Sequence, residues 1–578
     1  MKLHGFIAVA SLRRQNYGAS ATSPASAKPA EAYPPSPLAS EGYPFRIHPR
    51  VCTRGFLRRR VNPLRHNVMI FDELLKLVSS DKAPDIRVDS RLVKAGDIFV
   101  AVEGAVYDGH DFVDQALANG AKYIVCQNKG RWTSDERRET RNEVIIVDDS
   151  SKAAAILAQA SMGNPSSKLT NLAVTGTNGK TTVAFLVRSC IQIAGQKCGL
   201  IGTIVYDTGA ASFEASLTTP DCLTIAEKQS QMLKAGSKYM VIEASSHALA
   251  QNRLAAIDFK AAAFTNLTGD HLDYHKTKKE YLAAKTKLFA ALSPEAIAVL
   301  NKQSSEAELI AKHTKARILW YAIEEQADIT ARIESMDIGE TVFTLELANR
   351  SSVVCRPSFI VKTPLLGLHN VSNHLAAAGL CLAAGFDLET IAGGLSALQG
   401  VPGRLEKVEY SRVRGRRSAV RTKAASDEQR ATSYVLIDYA HTDDALKNVL
   451  TTLKPLCKGR LIVVFGCGGD RDRTKRPRMA KVAEQLADFV IVTSDNPRTE
   501  KPQDIINEIV AGFKNLGSSK ITIEQDRKKA IALAIKTAEK NDIVLIAGKG
   551  HENYQIIGKQ KFPFSDKTIA RECLTKRK

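Results

Sequence analysis

Short apolar runs alternate with helix-like patterns along most of the chain, from Met69 towards the C-terminus. Runs such as "IFVAV" (98–102), "YMVI" (239–242) and "LIVVF" (461–465) are uniformly apolar, as strands buried on both faces are. Segments such as "VAFLVRSCIQI" (183–193) instead repeat apolar residues at helical spacing. This alternation predicts an α/β protein whose parallel sheets carry helices on both faces.

Two stretches rich in Gly, Pro and Ser divide this pattern: "GNPSSKL" (163–169) and "GLSALQGVPGR" (394–404). Such residues favour linkers and turns over regular elements. We therefore predict three folded domains: a small N-terminal α/β domain (69–167), a central domain with a parallel sheet (168–400) and a C-terminal Rossmann-like domain (401–578).

Two basic segments stand apart from these domains. Residues 1–68 mix arginine with a Ser/Ala/Pro-rich tract and have no periodicity, which predicts a disordered extension. This extension is either a transit peptide for import into an organelle or the result of a start site placed upstream of Met69. Residues 410–433 are also polar and Arg-rich, and they are predicted to form a basic surface insertion between two strands.

The formal net charge of +20 is concentrated in these two segments. Residues 1–68 hold 11 Lys and Arg against 2 Asp and Glu, and residues 411–430 hold 7 against 2. Because the rest of the chain has an ordinary charge, we expect no nucleic-acid partner. We expect no membrane partner either, since no stretch approaches the roughly 18 apolar residues of a spanning helix. Ten scattered cysteines without a C-x-x-C pair favour reduced thiols in a cytosol-type compartment.

The motif "TGTNGKTT" lies between a predicted strand and a predicted helix. Small residues let backbone N–H groups close around phosphates, while Lys180 supplies a cation and Thr181 a hydroxyl for Mg²⁺. Val174 replaces the first glycine of the usual phosphate-loop pattern, so a simple Gly-containing turn is the alternative. The flanking elements favour ATP binding, and the predicted contacts are Thr175, Gly176, Thr177, Asn178, Gly179, Lys180, Thr181 and Thr182.

A carboxylate at the end of a neighbouring buried strand usually supplies a magnesium ligand in such proteins. Glu243 ends the run "YMVIE" and fits this role, while His247 and the "DHLDYH" run follow the next strand regions. His271 and His275 have the H-x-x-x-H spacing of some zinc sites, but no Glu follows His271, so a zinc protease is not expected. We interpret His275 as a structural histidine.

The predicted third domain carries both charge signs after its strands. Arg471 follows "FGCGG", Arg498 ends "DNPR", and Glu552 ends "GKGHE". Arginine grips a carboxylate bidentately while Asp or Glu accepts from an ammonium, so this set suits an amino acid. For Arg473, Lys475 and Arg478 nearby, surface ion pairs are the preferred interpretation.

Together these motifs resemble the Mur ligases, most closely the MurE type. The resemblance implies three domains: an N-terminal domain that binds UDP, a central P-loop ATPase, and a C-terminal Rossmann-like domain that delivers the amino acid. It rests on ten segments in family order between about Met69 and the C-terminus: "TGTNGKTT", "EASSHAL", "TNLTGDHLDYH", "EYLAAKTKLF", "GLHNVSNHLAA", "PGRLE", "DYAHT", "GCGGDRD", "DNPR" and "GKGHE".

The resemblance also implies roles for individual residues. Glu243, His271 and Lys285 would join Thr181 as magnesium ligands, with Lys285 carbamylated to N6-carboxylysine, and with Lys180 they form the predicted catalytic set. Further ATP contacts would be Asn370, Asn373, Arg404 and Asp438. The UDP-muramoyl-dipeptide would contact Val88, Ser90, Thr218, Thr219, Ser245, Gln251 and Arg253. The diamino acid would be held by Arg471, Asp495, Asn496, Pro497, Arg498, Gly548 and Glu552.

In ligases of this type a "DNPR" turn accompanies meso-diaminopimelate, whose extra carboxylate needs a cation such as Arg498. The resemblance thus implies an ATP- and Mg²⁺-dependent ligase that adds meso-2,6-diaminopimelate to UDP-N-acetylmuramoyl-L-alanyl-D-glutamate through an acyl phosphate, in peptidoglycan precursor synthesis. Small-molecule partners, a monomer and a bacterial-type cytosol are expected. The alternatives are a lysine-adding ligase, a folylpolyglutamate synthase, and a catalytically idle scaffold or nucleic-acid-binding protein that uses the basic segments.

Several positions depart from the family pattern. Leu217 replaces a residue that is polar in many relatives, residues 105–107 replace a more polar loop, and Asp443 stands where proline is usual. The insertion 410–433 is also foreign to the family. We expect the first three to affect substrate fit and loop shape, not the chemistry.

Overall fold

The computed structural model describes residues 69–80, 83–104, 107–127, 143–269, 271–348, 357–409 and 433–576. The predicted extension (1–68) and all but the last residue of the predicted insertion (410–433) lie outside these residues. Within the described part of the chain, no helix is long and apolar enough to cross a membrane.

The first sheet has four short parallel strands in chain order: β1 (Ile86–Arg87), β2 (Ile98–Val100), β3 (Tyr123–Gln127) and β4 (Glu143–Val147). Its helices are α1 (Phe71–Val78), α2 (Val113–Ala118) and α3 (Ser150–Ser161), with 3₁₀ turns at Ser90–Leu92, Gly109–Phe112 and Pro165–Lys168. Helices α1 and α3 share one apolar core with the strands, and α2 packs into a second core.

The second sheet has eleven strands and is the largest sheet of the described residues. Their order in the sheet is β15–β14–β13–β12–β11–β10–β5–β9–β6–β7–β8. In chain order they are β5 (Thr170–Thr175), β6 (Cys198–Ile201), β7 (Val205–Asp207), β8 (Ser212–Glu214), β9 (Tyr239–Glu243), β10 (Phe259–Phe264), β11 (Ile297–Asn301), β12 (Arg317–Ile323), β13 (Ile329–Met336), β14 (Thr341–Leu347) and β15 (Ser358–Thr363).

Helices cover both faces of this sheet. Alternate residues of β5 show why, because Leu172 and Val174 enter one core while Ala173 enters the other. Helices α4 (Lys180–Ile193), α10 (Leu368–Ala383) and α11 (Leu388–Ala397) cover the first face. The second face carries α5 (Cys222–Lys234), α6 (Ser246–Ala250), α8 (Lys278–Ala290) and α9 (Ala307–Ala311), with the single-turn α7 (Leu272–His275) before α8.

The third sheet has six strands in the order β16–β17–β21–β18–β19–β20. They are β16 (Glu406–Lys407), β17 (Tyr434–Asp438), β18 (Leu461–Phe465), β19 (Phe489–Val492), β20 (Ile521–Ile523) and β21 (Ile543–Ala547), and β22 (Tyr554–Ile557) and β23 (Gln560–Pro563) form a separate hairpin. Helices α12 (Asp443–Leu453), α13 (Lys475–Leu486) and α14 (Pro502–Val510) cover one face, and α15 (Arg527–Thr537) and α16 (Asp566–Lys576) cover the other.

The predicted α/β class is confirmed, and the sheets add detail that the sequence pattern did not give. The central sheet is parallel only in its middle, because β13–β15 and β6–β8 form antiparallel edges. Strand β13 alternates buried and more exposed residues, the pattern of an edge with one solvated face. In the third sheet, β16 likewise pairs antiparallel with β17.

Candidate active site

The phosphate loop joins β5 to α4 and depends on two glycines. Gly176 (φ +149°) and Gly179 (φ +91°) adopt backbone conformations that other residues rarely adopt. A Cβ on Gly176 would lie 1.9 Å from Thr265 Oγ1, and one on Gly179 would lie 2.2 Å from Asn373 Oδ1. The loop therefore turns tightly against β10 and α10, and neither position has room for a side chain.

Helix α4 begins at this loop without a capping side chain. Helices α5, α8 and α11 instead begin at Asp221, Thr277 and Asp387, whose side chains accept from backbone N–H groups. The first residue of α4 is Lys180, whose Nζ donates to the carbonyls of Gly176 and Thr177 at 2.9 Å each. The loop thus combines a helix N-terminus with a cation, as phosphate binding requires.

Glu243 is a fully buried carboxylate at the end of β9, and it connects the phosphate loop to its surroundings. Its Oε2 accepts from Thr181 Oγ1 at 2.9 Å and from Thr203 Oγ1 at 3.0 Å. Its Oε1 accepts from the Thr203 N–H at 2.8 Å. A Cβ on Gly202 would lie 2.2 Å from the same Oε1, so glycine is needed there as well. The predicted ligands Thr181 and Glu243 are therefore in direct contact.

Lys285 reaches the same loop from α8. Its side chain is buried, and Nζ donates to the Gly176 carbonyl at 2.9 Å. Nζ also lies 4.4 Å from the centre of the Tyr281 ring, and Tyr281 OH lies 3.2 Å from Thr177 Oγ1. Lys285 is thus a buried part of the site and not a lysine on the helix surface.

His271 lies in a cluster of rings next to these residues. Its ring centre is 4.9 Å from that of His247 and 6.1 Å from that of Tyr281, and its backbone has a positive φ of 56°. The buried His275 joins the cluster, with its ring centre 5.2 Å from that of Tyr281. Tyr281 therefore connects the histidines to Lys285 and the phosphate loop.

The described residues contain no group of three or more His, Cys, Asp or Glu that could by itself hold a metal ion. Thr181 and Glu243 still present a hydroxyl and a buried carboxylate, the oxygen ligands that Mg²⁺ prefers. An unmodified Lys285 is a cation and cannot be a ligand, whereas carbamylation would add two oxygens beside the Gly176 carbonyl. The oxygen donors fit Mg²⁺ if that modification is present.

The residues that the resemblance assigns to ATP surround the start of α4. Asn373 lies against Gly179 and donates from Nδ2 to Asn370 Oδ1 at 3.1 Å, and Asn370 Nδ2 donates to the Leu366 carbonyl at 2.8 Å. Arg404 Nη2 lies 3.4 Å from Thr181 Oγ1. Three of the four implied contacts are therefore adjacent to the phosphate loop.

Asp438 is the fourth, and it is the last residue of β17 in the third sheet. Burial raises the pKa of Asp438, and the nearby Arg404 opposes this rise. The carboxylate accepts from the N–H groups of Leu405 and Ala440 at 2.7 Å each. A Cβ on Gly403 would lie 2.2 Å from His551 N, so the segment before β16 packs closely against the turn that follows β21.

The residues implied for the UDP-muramoyl-dipeptide fall into two groups. Val88 and Ser90 belong to the N-terminal domain, where the Ser90 hydroxyl is buried and donates to Gln115 Oε1 at 2.7 Å. The other group lies in the middle domain and consists of Thr218, Thr219, Ser245, Gln251 and Arg253.

Hydrogen bonds connect four members of this second group, and the fifth, Thr218, has its Oγ1 3.1 Å from Thr203 Oγ1. Thr219 Oγ1 donates to the Glu243 carbonyl at 2.6 Å and accepts from the Ser245 N–H at 3.0 Å. Arg253 donates to the Thr219 carbonyl at 2.8 Å and to Gln251 Oε1 at 2.6 Å. Burial lowers the pKa of Arg253. The group therefore continues directly from the buried Glu243.

A cleft of about 1280 Å³ lies between the middle and third domains. Its middle-domain lining includes Thr203, Leu217, Thr218, Thr219, Ser245, His247, Arg253 and His271. Its third-domain lining includes Arg471, Asp495, Asn496, Arg498, Gly548, His551 and Glu552. Most residues implied for the dipeptide and all but Pro497 of those implied for the diamino acid thus share one cavity, whereas Val88, Ser90 and Gln251 are not part of its lining.

The third-domain end of the cleft is tightly constrained. Asn496 Nδ2 donates to Glu552 Oε2 at 2.8 Å, and Arg498 Nη1 donates to the Gly469 carbonyl at 2.8 Å. A Cβ on Gly548, which has a φ of +115°, would lie 2.7 Å from Asp495 Oδ2. This end therefore presents an arginine, two acids and an amide in fixed positions, a set that can bind both charges of an amino acid.

Sequence reasoning missed three buried cations behind this end of the cleft. Lys549 bridges Asn496 and Glu552, while Arg527 pairs with Asp566 at 2.6 Å. Arg476 pairs with Glu500 and Glu508 at 2.8 Å each. Helical spacing could have found two of them. The buried residues of α13 are Arg476, Met479, Ala480 and Ala483, and those of α15 are Arg527, Ala530, Ile531, Ala534 and Ile535.

Of the three residues for which surface ion pairs were predicted, Arg473 and Arg478 form such pairs. Arg473 pairs with Glu508, and Arg478 pairs with Asp443 at 3.0 Å, both on exposed arginines. Lys475 and Arg478 also line the cleft. The departure at Asp443 therefore supplies the partner of a cleft arginine.

Three family models match successive parts of the chain. The Mur ligase family, catalytic domain, matches residues 85–162. The Mur ligase middle domain matches residues 174–381, and the Mur ligase, glutamate ligase domain, matches residues 420–550.

Individual relatives match over nearly their whole length. The chain is 41% identical over 505 residues to the UDP-N-acetylmuramoyl-L-alanyl-D-glutamate–2,6-diaminopimelate ligase of Geobacillus kaustophilus (strain HTA426), which covers 86% of this chain and 96% of the relative. A solved structure of a ligase of the same name is 32% identical, with a TM-score of 0.57 over 85% of this chain and 94% of that one. The MurF ligase of Thermotoga maritima in complex with ADP is 20% identical, with a TM-score of 0.52 over 82% and 95%, and shares the fold.

Proposed function

This chain belongs to the Mur ligase family, and on that basis we propose that it joins meso-2,6-diaminopimelate to UDP-N-acetylmuramoyl-L-alanyl-D-glutamate with ATP. The amide forms on the γ-carboxylate of the D-glutamyl residue. The two relatives with the higher identity bear the name of a 2,6-diaminopimelate ligase. The product is a precursor of peptidoglycan, so the reaction belongs to cell-wall synthesis and, through it, to cell shape and division.

The first step is transfer of the γ-phosphoryl group of ATP to the glutamyl carboxylate, which yields ADP and an acyl phosphate. The loop from Gly176 to Gly179 would hold the phosphates with backbone N–H groups, and Lys180 would offset the charge that develops on the transferred group. Arg404 next to Thr181 would add a second cation. The Thermotoga maritima MurF ligase, which shares the fold, is a complex with ADP, and this supports the use of a nucleotide.

Bound Mg²⁺ would neutralise phosphate charge in this step. Thr181 and Glu243 would hold it through oxygen, joined by His271 and by Lys285 once that lysine is carbamylated. The protein side of this arrangement is Glu243, which two threonines hold in a single orientation.

The second step is attack on the acyl phosphate by an amino group of diaminopimelate. The tetrahedral intermediate collapses with release of phosphate and leaves an amide. Thr218, Thr219, Ser245 and Arg253 would position the dipeptide, while the opposite wall would position the diamino acid. Closure of the third domain onto the middle domain would exclude water, which would otherwise hydrolyse the acyl phosphate.

One observation carries this proposal. The cleft places a wall that adjoins Glu243 opposite a wall that bears Asp495, Arg498 and Glu552. A molecule with ammonium and carboxylate groups at both ends can pair with each of these charges. Lysine lacks the second carboxylate and would leave Arg498 without its partner, which disfavours the lysine-adding alternative.

The proposal is tested by phosphate release from the full chain supplied with ATP, Mg²⁺ and the UDP-linked dipeptide. We expect turnover with meso-diaminopimelate and at most slow turnover with L-lysine. Turnover with lysine alone would overturn the specificity, and no turnover with either amino acid would overturn the proposed reaction. Because ATP and UDP-linked substrates are cytosolic metabolites, we propose that the enzyme acts in a bacterial-type cytosol. We further propose that it acts as a monomer.

A further inference from the structure

Lys549 is a fully buried lysine within the "GKGHE" turn that follows β21. Its Nζ donates to Asn496 Oδ1 at 3.0 Å and to Glu552 Oε2 at 2.8 Å. Both partners line the cleft. A buried charge is costly unless it is paired, and these two bonds offset the cost of burying the Lys549 ammonium.

These bonds fix the orientation of Asn496. Its Oδ1 accepts from Lys549 Nζ and from the Ile556 N–H at 2.9 Å, and both of these groups can only donate. The amide nitrogen must therefore face the other way, and it donates to Glu552 Oε2 at 2.8 Å. Lys549 thus determines the position of the Asn496 amide as well as that of the Glu552 carboxylate.

The same bonds act on one side of the Glu552 carboxylate. Within the described chain, the bonds from Lys549 and Asn496 both end on Oε2. The second oxygen of this carboxylate, Oε1, has its own lone pairs, and Glu552 lines the cleft. Glu552 is therefore held as a directed acceptor whose Oε1 is left for a cationic group of a ligand.

We propose that Lys549 is a positioning residue that sets the selectivity of the site for the second, non-reacting amino group of diaminopimelate. The inference rests on the proposed function. One amino group of the substrate is acylated, and the other stays an ammonium that needs an acceptor. Lys549 keeps Glu552 aimed at that ammonium, while Arg498 serves the carboxylate beside it.

The test compares two substrates that differ in that amino group only. Meso-diaminopimelate carries it, and 2-aminopimelate lacks it but keeps both carboxylates. We expect Lys549→Met to lower kcat/KM for diaminopimelate about 30-fold or more, mainly through KM, because one partner of a buried charge pair is lost. For 2-aminopimelate, measured as kcat/KM or as an inhibition constant, the change should be less than about threefold. KM for ATP and for the UDP-linked dipeptide should not change.

Lys549→Gln provides a second variant that keeps a donor without the charge, and it carries the test if the methionine variant does not fold. Lys561→Met is the matched control, since Lys561 is an exposed lysine that lies 4.2 Å from the centre of the Tyr554 ring, near which Lys549 also lies at 5.7 Å. The control should leave the values measured for both substrates unchanged.

Selective loss of diaminopimelate recognition would support the positioning role. An equal loss for both substrates would show a structural role alone and would overturn the inference, as would no loss in either variant. Absence of turnover in the unmodified chain would instead contradict the proposed function, so the two failures are distinguishable.

Discussion

Arg498 is held in a backbone conformation that few residues other than glycine adopt. Its φ is +50°, its N–H donates to the Ile556 carbonyl at 3.1 Å, and its carbonyl accepts from the Gly558 N–H at 2.8 Å. Its guanidinium donates to the Gly469 carbonyl, and a Cβ on Gly468 would lie 2.9 Å from Arg498 Nη1. A residue in this region persists only where its surroundings fix it, and such positions cluster at binding sites.

We expect Arg498→Asn to lower kcat/KM for diaminopimelate about 30-fold or more, and to affect lysine far less. Asparagine tolerates positive φ, so the loss reports the missing guanidinium and not backbone strain. Arg473→Asn is the control, because Arg473 is exposed and is not among the residues that line the cleft. The measurement is phosphate release with each amino acid, and an equal loss for both would contradict the assigned role.

Glu243→Gln tests the buried carboxylate next to the phosphate loop. Glutamine keeps the size of the side chain and an oxygen for the Thr203 N–H, so we expect thermal stability to change little. The lost charge should lower kcat about 100-fold or more, because a ligand for charge neutralisation is removed. Glu214→Gln changes an exposed carboxylate in the lining of the same cleft and should leave kcat intact. A Glu243→Gln variant with normal kcat would contradict the site.

At the scale of elements, helix α4 has a positive-φ glycine at each end, and only the first touches another element. A Cβ on Gly179 would lie 2.2 Å from Asn373 Oδ1, whereas a Cβ on Gly195 (φ +72°) would meet nothing within 4 Å. Gly195→Ala should cost roughly 1 kcal/mol of stability from backbone strain and leave KM for ATP unchanged.

Gly179→Ala adds a clash at the phosphate loop to the same strain. We therefore expect a larger loss of stability and a rise of about tenfold or more in KM for ATP, since the loop must move away from its phosphate-binding shape. Thermal unfolding and ATP-dependent kinetics of the two variants measure the difference. Equal KM values for ATP in both variants would show that this glycine does not shape the loop.

Glu500 joins the "DNPR" turn to α13. It accepts from Arg476 Nη1 at 2.9 Å and Nη2 at 2.8 Å, and these bonds to Arg476 are the main cause that lowers the pKa of Glu500 from 4.5 to about 2. A depressed pKa means that ionised Glu500 stabilises the fold above pH 4.5 and that this stabilisation is lost as pH falls towards 2.

Glu500→Gln should therefore lower the melting temperature more at pH 7 than at pH 3. The control is Glu572→Gln, which changes an exposed carboxylate of α16 and should have little effect at either pH. Thermal unfolding at the two pH values gives the comparison. The same decrease at both would mean that the ion pair with Arg476 does not contribute through charge.

At the scale of the whole molecule, features that depend on local patterns were predicted from the sequence, whereas features that depend on long-range contacts were mostly missed. The α/β class and the elements around the phosphate loop followed from apolar periodicity, which each segment carries by itself. The antiparallel edge β13–β15 was missed because an edge strand's partner is not encoded in its own pattern. Lys549 was missed because it lies in a turn, where no periodicity marks a buried position, and its partner Asn496 is 53 residues away. The pairing of Arg527 with Asp566, 39 residues away, is likewise not encoded in a local pattern.

The cleft belongs to this scale too, because its two walls come from different sheets. Contacts between the domains, such as that of Arg404 with Thr181 223 residues away, accompany a cleft lined by residues of both domains. Sequence patterns alone identified the phosphate loop and the charged residues Arg471, Arg498 and Glu552, and the resemblance to a family supplied the other site residues. Neither source gave the distances between them.

In the proposed reaction, one cleft ligates diaminopimelate to a UDP-linked dipeptide. The most direct measurement is mass spectrometry of the product formed by the full chain with ATP, Mg²⁺, the dipeptide substrate and an equal mixture of meso-diaminopimelate and L-lysine. We predict that the product carries diaminopimelate through a new amide, with one ADP and one phosphate per product. A product that carries lysine, or ATP hydrolysis without a new amide, would contradict the proposed reaction.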